Sequence, residues 1–94
     1  MEERQIIHDK ENRQFILHLD NDLQATVSYT LNDRHMDLVY SEVPNSLRGL
    51  GVGKELVEKT FQKLTDEGYD ATAICGYIRV IARRSPKWSE IIAH

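Results

Sequence analysis

Glu42-Val43-Pro44-Asn45-Ser46-Leu47-Arg48-Gly49-Leu50-Gly51-Val52-Gly53-Lys54 marks the point where the pattern of the chain changes. Before it, apolar and polar residues alternate. After it, apolar residues recur at helical spacing. Pro44 has no amide to offer a ladder, so the strand leading into it stops there and Pro44-Asn45-Ser46 reads as a loop. Gly49, Gly51 and Gly53 then fall between a strand end and a helix start. Glycine in such a place lets the backbone adopt positive φ and approach a ligand closely. The first amides of a helix are unpaired and sit at the positive end of its dipole, an arrangement suited to a phosphate. Arg48 and Lys54 add a full charge at either end of the loop.

Upstream of this stretch the chain reads as strands. From Arg13 to Asp20, Phe15, Leu17 and Leu19 alternate with Gln14, His18 and Asp20, with Ile16 the apolar exception. From Leu23 to Leu31 the alternation with Gln24, Thr26, Ser28 and Thr30 is strict, which predicts one buried and one wetter face. A third strand sets Met36, Leu38 and Tyr40 against Asp37, Val39 and Ser41. Carried on unbroken, that alternation puts Glu42 on the face of Leu38 and Tyr40. Asp20-Asn21-Asp22 and Asn32-Asp33-Arg34 are turn clusters, because Asn and Asp tolerate left-handed backbone. Short turns between successive strands predict an antiparallel meander, with residues 4–9 as an added edge strand.

Downstream, Val52, Leu56, Val57, Thr60, Phe61 and Leu64 form one apolar stripe, backed by a polar face from Lys54 to Asp66. This is an amphipathic helix, and Gly68 is its expected stop. Asp70 to Cys75 reads as a short strand and Tyr77 to Arg84 as a helix. Pro86 opens a last helical turn carrying Trp88, Ile91 and Ile92. The expected fold is α+β: a mainly antiparallel sheet of four or five strands, one long helix, and one or two short C-terminal helices.

Composition sets the outer bounds. A chain of 94 residues with 40% hydrophobic and 29% charged residues is one ordinary globular domain spanning residues 1–94. No apolar run approaches the roughly 20 residues that a membrane span needs. Met1-Glu2-Glu3-Arg4-Gln5 lacks the pattern of a secretory leader, so the expected location is cytoplasmic. A net charge of −3 argues against binding nucleic acid through its phosphates. One cysteine, Cys75, excludes an internal disulfide and a multi-cysteine zinc site. His8, His18, His35 and His94 lie in different elements at no metal-ligand spacing, so no metal site is expected. Nothing in the sequence asks for a dimer, and a monomer is the default. The charge is uneven: residues 1–47 hold four Lys/Arg against nine Asp/Glu, whereas residues 48–94 hold eight against six. Arg79, Arg83, Arg84 and Lys87 cluster without an acid among them. A small anionic ligand, if the chain binds one, is then expected on the C-terminal half; the plain alternative is a solvated basic face.

The glycine loop fits neither common nucleotide motif. A phosphate loop of the Walker type would need a glycine at Arg48 and a Ser or Thr at Glu55. A dinucleotide fingerprint would need its last glycine at Lys54 or Leu56. What fits is Arg-x-x-Gly-x-Gly at Arg48, Gly51 and Gly53, which resembles the acyl-CoA pyrophosphate loop of the GNAT acetyltransferases. Glu42-Val43-Pro44 leading into the loop, Ile74-Cys75, and Ser85-Pro86-Lys87-Trp88 extend the likeness over roughly residues 36–92. Together they are similar to an unusually short, GNAT-like subfamily of about a hundred residues. Two positions depart from it. Relatives often carry His where this chain has Tyr40, and Pro where it has Gly76. A missing base at position 40 would bear on acetyl transfer and not on CoA binding.

The resemblance implies acetyl-CoA as cofactor and an amine acceptor of unspecified identity, either a small amine or a protein side chain or terminus. It implies that Val43 and the loop Arg48, Gly49, Leu50, Gly51, Val52, Gly53 and Lys54 hold the cofactor, with amides near Glu42 and Val43 meeting the pantetheine. Charge suggests that the cofactor's 3′-phosphate or adenine reaches Arg83 and Arg84, with Arg79. The resemblance also implies that Glu42 stands where a base takes a proton, often through water, from the attacking amine; its plain alternative is a strand-end surface carboxylate. Cys75 ends a strand and precedes a helix, a setting that depresses a thiol pKa. It is an acetyl acceptor, an acid for the leaving CoA thiolate, or a lining residue, and its plain alternative is an inert buried thiol. Three functions therefore stand side by side: an acetyl-CoA-dependent N-acetyltransferase, a module that binds acetyl-CoA without catalysis, and an interaction domain whose glycine loop is only a tight connection.

Overall fold

A computed structural model describes residues 4–94. Met1 to Glu3, part of the stretch read above for a leader, lie outside the described residues. The strands are β1 (Ile6–Asp9), β2 (Gln14–His18), β3 (Gln24–Asn32), β4 (His35–Glu42) and β5 (Asp70–Ala73). The helices are α1 (Val52–Asp66), α2 (Gly76–Arg84) and the single turn α3 (Trp88–Ile91). The five strands form one sheet in chain order; the first three pairings are antiparallel, and β4 pairs β5 in parallel. A parallel neighbour cannot be reached by a hairpin, so α1 makes the crossover. The expected meander and α+β class are what the molecule shows.

The turns follow from residue type. Asn21, Asp22 and Asp33 all take positive φ, near 60°, in the two Asn/Asp clusters. The core lies on one face of the sheet. Phe15, Leu17, Ala25, Val27, Met36, Leu38, Ala71 and Ala73 are buried there beneath Leu56, Val57, Phe61 and Leu64 of α1, Ile78 and Ala82 of α2, and Trp88 and Ile92. Each large side chain among them contributes about 1.5–3 kcal/mol by leaving water. Ile16, the exception to the alternation, faces the other way, opposite Ile7 and Thr26.

Helix α1 ends as its glycine predicts. Gly68 has φ +87°, its amide bonds the Thr65 carbonyl, and the Tyr69 amide bonds the Leu64 carbonyl. This pair of bonds satisfies the last carbonyls of the helix. Arg34, from the β3–β4 turn, donates to the carbonyls of Glu67 and Gly68 at 2.8 and 3.0 Å. A cation at that end complements the helix dipole.

Two local departures from the sequence reading shape the site. First, β4 is not a regular strand. Ser28 pairs with Tyr40 but Tyr29 pairs with Leu38, so Val39 is an extra residue. A bulge of this kind inverts the alternation beyond it. Ser41 pairs with the buried Val27 and turns to the helix-bearing face, while Glu42 pairs with Thr26 on the opposite face. The expectation that Glu42 shares the face of Leu38 is therefore corrected. Second, β5 stops at Ala73 rather than Cys75, because the amides of Ile74 and Cys75 both turn to the Leu38 carbonyl, at 3.0 and 2.9 Å. Beyond Leu38 the parallel pair parts.

Candidate functional site

The gap between β4 and β5 opens at their carboxyl ends, where ligands bind in parallel sheets. The chain crosses it in three steps. A turn at Asn45–Leu47 is closed by the Leu47 amide on the Pro44 carbonyl at 2.9 Å. Gly49 and Gly51 follow, both at φ +83°, a conformation costly for any residue with a Cβ. Gly51 then caps α1, its carbonyl accepting from the Glu55 amide at 3.1 Å. The amides of Val52, Gly53 and Lys54 occupy the first turn and have no acceptor within the helix. A Cβ on Gly49 or Gly51 would meet nothing within 4 Å. The approach to the loop is open.

Under this loop lies a cavity of about 500 Å³ walled by Ser41, Val43, Arg48, Gly49, Gly51, Gly53 and Tyr77. Arg48 and the start of α1 both line it, so the site favours an anion twice over. Glu55, the acid in the first turn of α1, does not oppose this. Burial pushes its carboxyl up, but Arg4 at 2.7 Å and Lys59 at 3.0 Å outweigh burial and hold it below the usual carboxylate value. Its charge is thus balanced locally.

Tyr77, on the first turn of α2, lies over Gly53. A Cβ at position 53 would come within 2.3 Å of the Tyr77 hydroxyl, so glycine is what admits the ring. Tyr77 also walls a second groove of about 400 Å³ between α1 and α2, which it shares with Lys54, Glu58, Val80 and Arg84. Tyr77 is common to the walls of both spaces, the first of which carries Arg48 and the second Lys54 and Arg84.

Cys75 is half-buried and stands beside the cavity rather than on its wall, with its Sγ 3.5 Å from the Ser41 Oγ. Burial pushes the thiol up. The Ser41 hydroxyl and the amides of Ile78, Tyr77 and Ser41 more than offset this and bring it below the ordinary thiol value. The thiol form makes no capping hydrogen bond in α2; the amides act on the anion, as a helix N-terminus does.

The structure brings together Val43, Arg48, Gly49, Gly51 and Gly53 on one wall, with Cys75 next to it. Other residues singled out in the sequence stand elsewhere. Leu50 points to solvent and is 70% exposed, whereas Val52 is buried in the core. Lys54 and Arg84 line the second groove. The basic cluster divides: Arg83 donates to the His94 Nδ1 at 3.3 Å, Lys87 to Gln62 at 2.9 Å, and Arg79 bends back to the Ile74 carbonyl. Glu42 is exposed on the far face of the sheet. Ser41 and Tyr77 were not foreseen. Tyr77 could have been found as the aromatic residue in the first turn of a helix that follows a strand end. Ser41 left no such signal, because its direction depends on the bulge.

Comparison with known proteins agrees with this geometry. Residues 14–91 match the sequence family described as GCN5-related N-acetyl-transferase. Protein NATD1 of Gallus gallus is 30% identical over 84 residues, covering 87% of this chain and 76% of the relative. Protein NATD1 of Homo sapiens is 30% identical over 81 residues, covering 84% and 72%. Protein NATD1 of Danio rerio is 29% identical over 91 residues, covering 93% and 83%. The family match takes in β2 to β5 and all three helices, including the loop that opens α1 and the strand end that presents Cys75. The chain belongs to the GCN5-related N-acetyltransferases.

Proposed function

We propose that this protein is an acetyl-CoA-dependent N-acetyltransferase. One observation carries the reading: a single cavity joins the open glycine loop and the unpaired first turn of α1 to Ser41 and, beside it, Cys75. The residues present fit the cofactor. Gly49 and Gly51 leave room at the loop, the amides of Val52 to Lys54 can receive the pyrophosphate, and Arg48 supplies charge. Lys54 and Arg84, at the end of the second groove, suit the remaining phosphate. Val43, on the cavity wall, offers its backbone to the pantetheine arm.

Bound acetyl-CoA supplies an acetyl group activated as a thioester. Cys75 is the group placed to accept it. Its thiolate forms a new S–C bond as the C–S bond to CoA breaks and CoA departs with the electron pair. The acceptor amine then attacks the acetylated Cys75, which regains its thiolate, and the proton that the amine gives up passes to water. Glu42, exposed on the opposite, uncovered face of the sheet, would receive that proton only through water. The strands carry Asp9, Asp37, Glu42 and Asp70 on this face and contain no Lys or Arg, which favours a cationic amine.

Titration of the labelled protein with acetyl-CoA, followed on the amides of Gly49 to Lys54 and of Cys75, tests the binding half. Saturable shifts at both places are expected. Absence of shifts at both would make the loop a mere connection. Transfer to a panel of amines by the Cys75→Ala variant tests the other half, with a loss of at least roughly 100-fold expected for a covalent acceptor; a wild-type rate would remove Cys75 from the reaction. Tyr40, standing where relatives often have His, favours a second reading: a module that binds acetyl-CoA without transferring it. Tight binding with no product from any amine would select that module.

A further inference from the structure

The bulge at Val39 decides which side chain of β4 stands next to the thiol. Without the extra residue, Tyr40 and Glu42 would follow Met36 and Leu38 onto the helix-bearing face. A carboxylate there would raise the thiol pKa and repel its anion. With the bulge, Ser41 takes that face and Glu42 leaves it. The position of the sulfur is fixed from the other side. The amides of Ile74 and Cys75 converge on the Leu38 carbonyl and hold Cys75 just past the end of β5. Ser41 comes to 3.5 Å from it across the gap, at the place where the two strands have already parted. Ser41 also lines the cavity, so the contact faces the space where an acyl group would lie.

We propose that Ser41 is a positioning residue for Cys75: its hydroxyl donates to the sulfur, holds it in the ionised form and aims it into the cavity. The inference rests on the reading of Cys75 as the acetyl acceptor. The other polar neighbours fit it. The backbone amides of Ser41, Tyr77 and Ile78 favour the anion. From α2, Tyr77 faces the cavity and Arg79 is folded onto the Ile74 carbonyl. From α1, Lys54 lies in the neighbouring groove. From β4, Glu42 looks out from the opposite face. Among the described residues Ser41 is thus the side chain within hydrogen-bonding distance of the sulfur.

The test uses the free protein and needs no cofactor. Cys75 is the one cysteine of the chain, so its alkylation by iodoacetamide can be followed by mass spectrometry across a pH series. In the wild type the midpoint is expected below that of an unstructured cysteine, which lies near pH 8.5. Ser41→Ala is expected to move the midpoint upward and slow alkylation at pH 7 by roughly tenfold, as for loss of one hydrogen bond to a charged group. Ser41→Thr, which keeps the hydroxyl, is expected to restore both. An unchanged midpoint in a folded Ser41→Ala variant would overturn the proposal, as would Ser41→Thr behaving like Ser41→Ala. Protection of Cys75 by added acetyl-CoA is read separately. If the midpoint moves but acetyl-CoA neither protects nor acetylates Cys75, Ser41 keeps its contact with the thiolate and the acetyl-acceptor reading fails.

Discussion

Gly51 and Gly53 belong to one loop, yet the backbone asks different things of them. Gly51 sits at φ +83° with open space around its Cα, so its requirement is conformational. Alanine there is forced into left-handed backbone at a cost of about 1–2 kcal/mol. For a domain of this size that lowers Tm by roughly 5–15 °C. Gly53 is helical, and its requirement is steric: an added Cβ would fall 2.3 Å from the Tyr77 hydroxyl. That hydroxyl is the far end of a half-exposed side chain, which can swing away, and alanine is the better helix former. Gly53→Ala is therefore expected to leave Tm unchanged or raise it slightly while weakening acetyl-CoA binding, because the displaced ring walls the cavity. Thermal melts and binding isotherms of the two variants separate these effects. Equal losses of Tm would show that Tyr77 is locked against α1.

Among the elements, a chain of polar groups ties the C-terminal end of α1 to the sheet, beside the apolar packing along the helix. His8 of β1 places Nδ1 2.7 Å from Glu67, just past α1, and Nε2 2.6 Å from the Tyr29 hydroxyl of β3. Phe15 stacks on the imidazole at 4.3 Å, and the His8 side chain is 3% exposed. Burial, then the neighbouring Tyr69, pushes the Tyr29 hydroxyl up, so it stays neutral and serves the imidazole as a hydrogen-bonding partner. Burial also pushes Glu67 up, but His8 and Lys63 outweigh it and hold the carboxyl below its usual value of 4.5. Folding thus favours the ionised Glu67. Its contribution to stability is complete above about pH 4.5 and is lost as the pH falls through the lower, folded value. Tm is expected to drop as the pH falls below that point, less steeply in Glu67→Gln; equal slopes would assign acid unfolding to other carboxylates. Little of this joint was visible in the sequence, where His8 sat in a short edge strand with no partner at any regular spacing. What alternation and turn chemistry could show, they did: Phe15, Leu17, Val27 and Leu38 are buried as their period requires, and the Asn/Asp turns carry the positive φ values. What they could not show depends on one strand set against another. The bulge at Val39 lies in the register between β3 and β4, and the early end of β5 lies in a carbonyl of β4 that draws two amides. Glu42 and Ser41 exchanged faces for that reason.

At the scale of the whole molecule, the site occupies the seam where β4 and β5 part. A chain this short buries only roughly 60–65% of its surface on folding, and here all the core lies between one face of the sheet and the helices. Below Leu38, β4 and β5 are held by a ladder. Above it the gap is spanned by the contact of Ser41 with Cys75 and the approach of Tyr77 to Gly53. A ligand that fills the cavity touches the end of β4, the glycine loop and the start of α2 at once, and so supplies the cross-links that the polypeptide lacks. Binding to the folded state alone stabilises by RT ln(1 + [L]/Kd), about 2.7 kcal/mol at a hundredfold excess over Kd. For a domain of this size that corresponds to a rise in Tm on the order of 10 °C. The rise should survive when CoA replaces acetyl-CoA, because in the proposed reading the loop and the helix start would meet the phosphates and not the acyl group. It should shrink in Arg48→Ala and Arg84→Ala, which remove a charge from each of the two grooves while leaving the core intact. A melting curve indifferent to millimolar acetyl-CoA would mean that the seam closes without a ligand, and the glycine loop would then be a turn between a strand and a helix and nothing more.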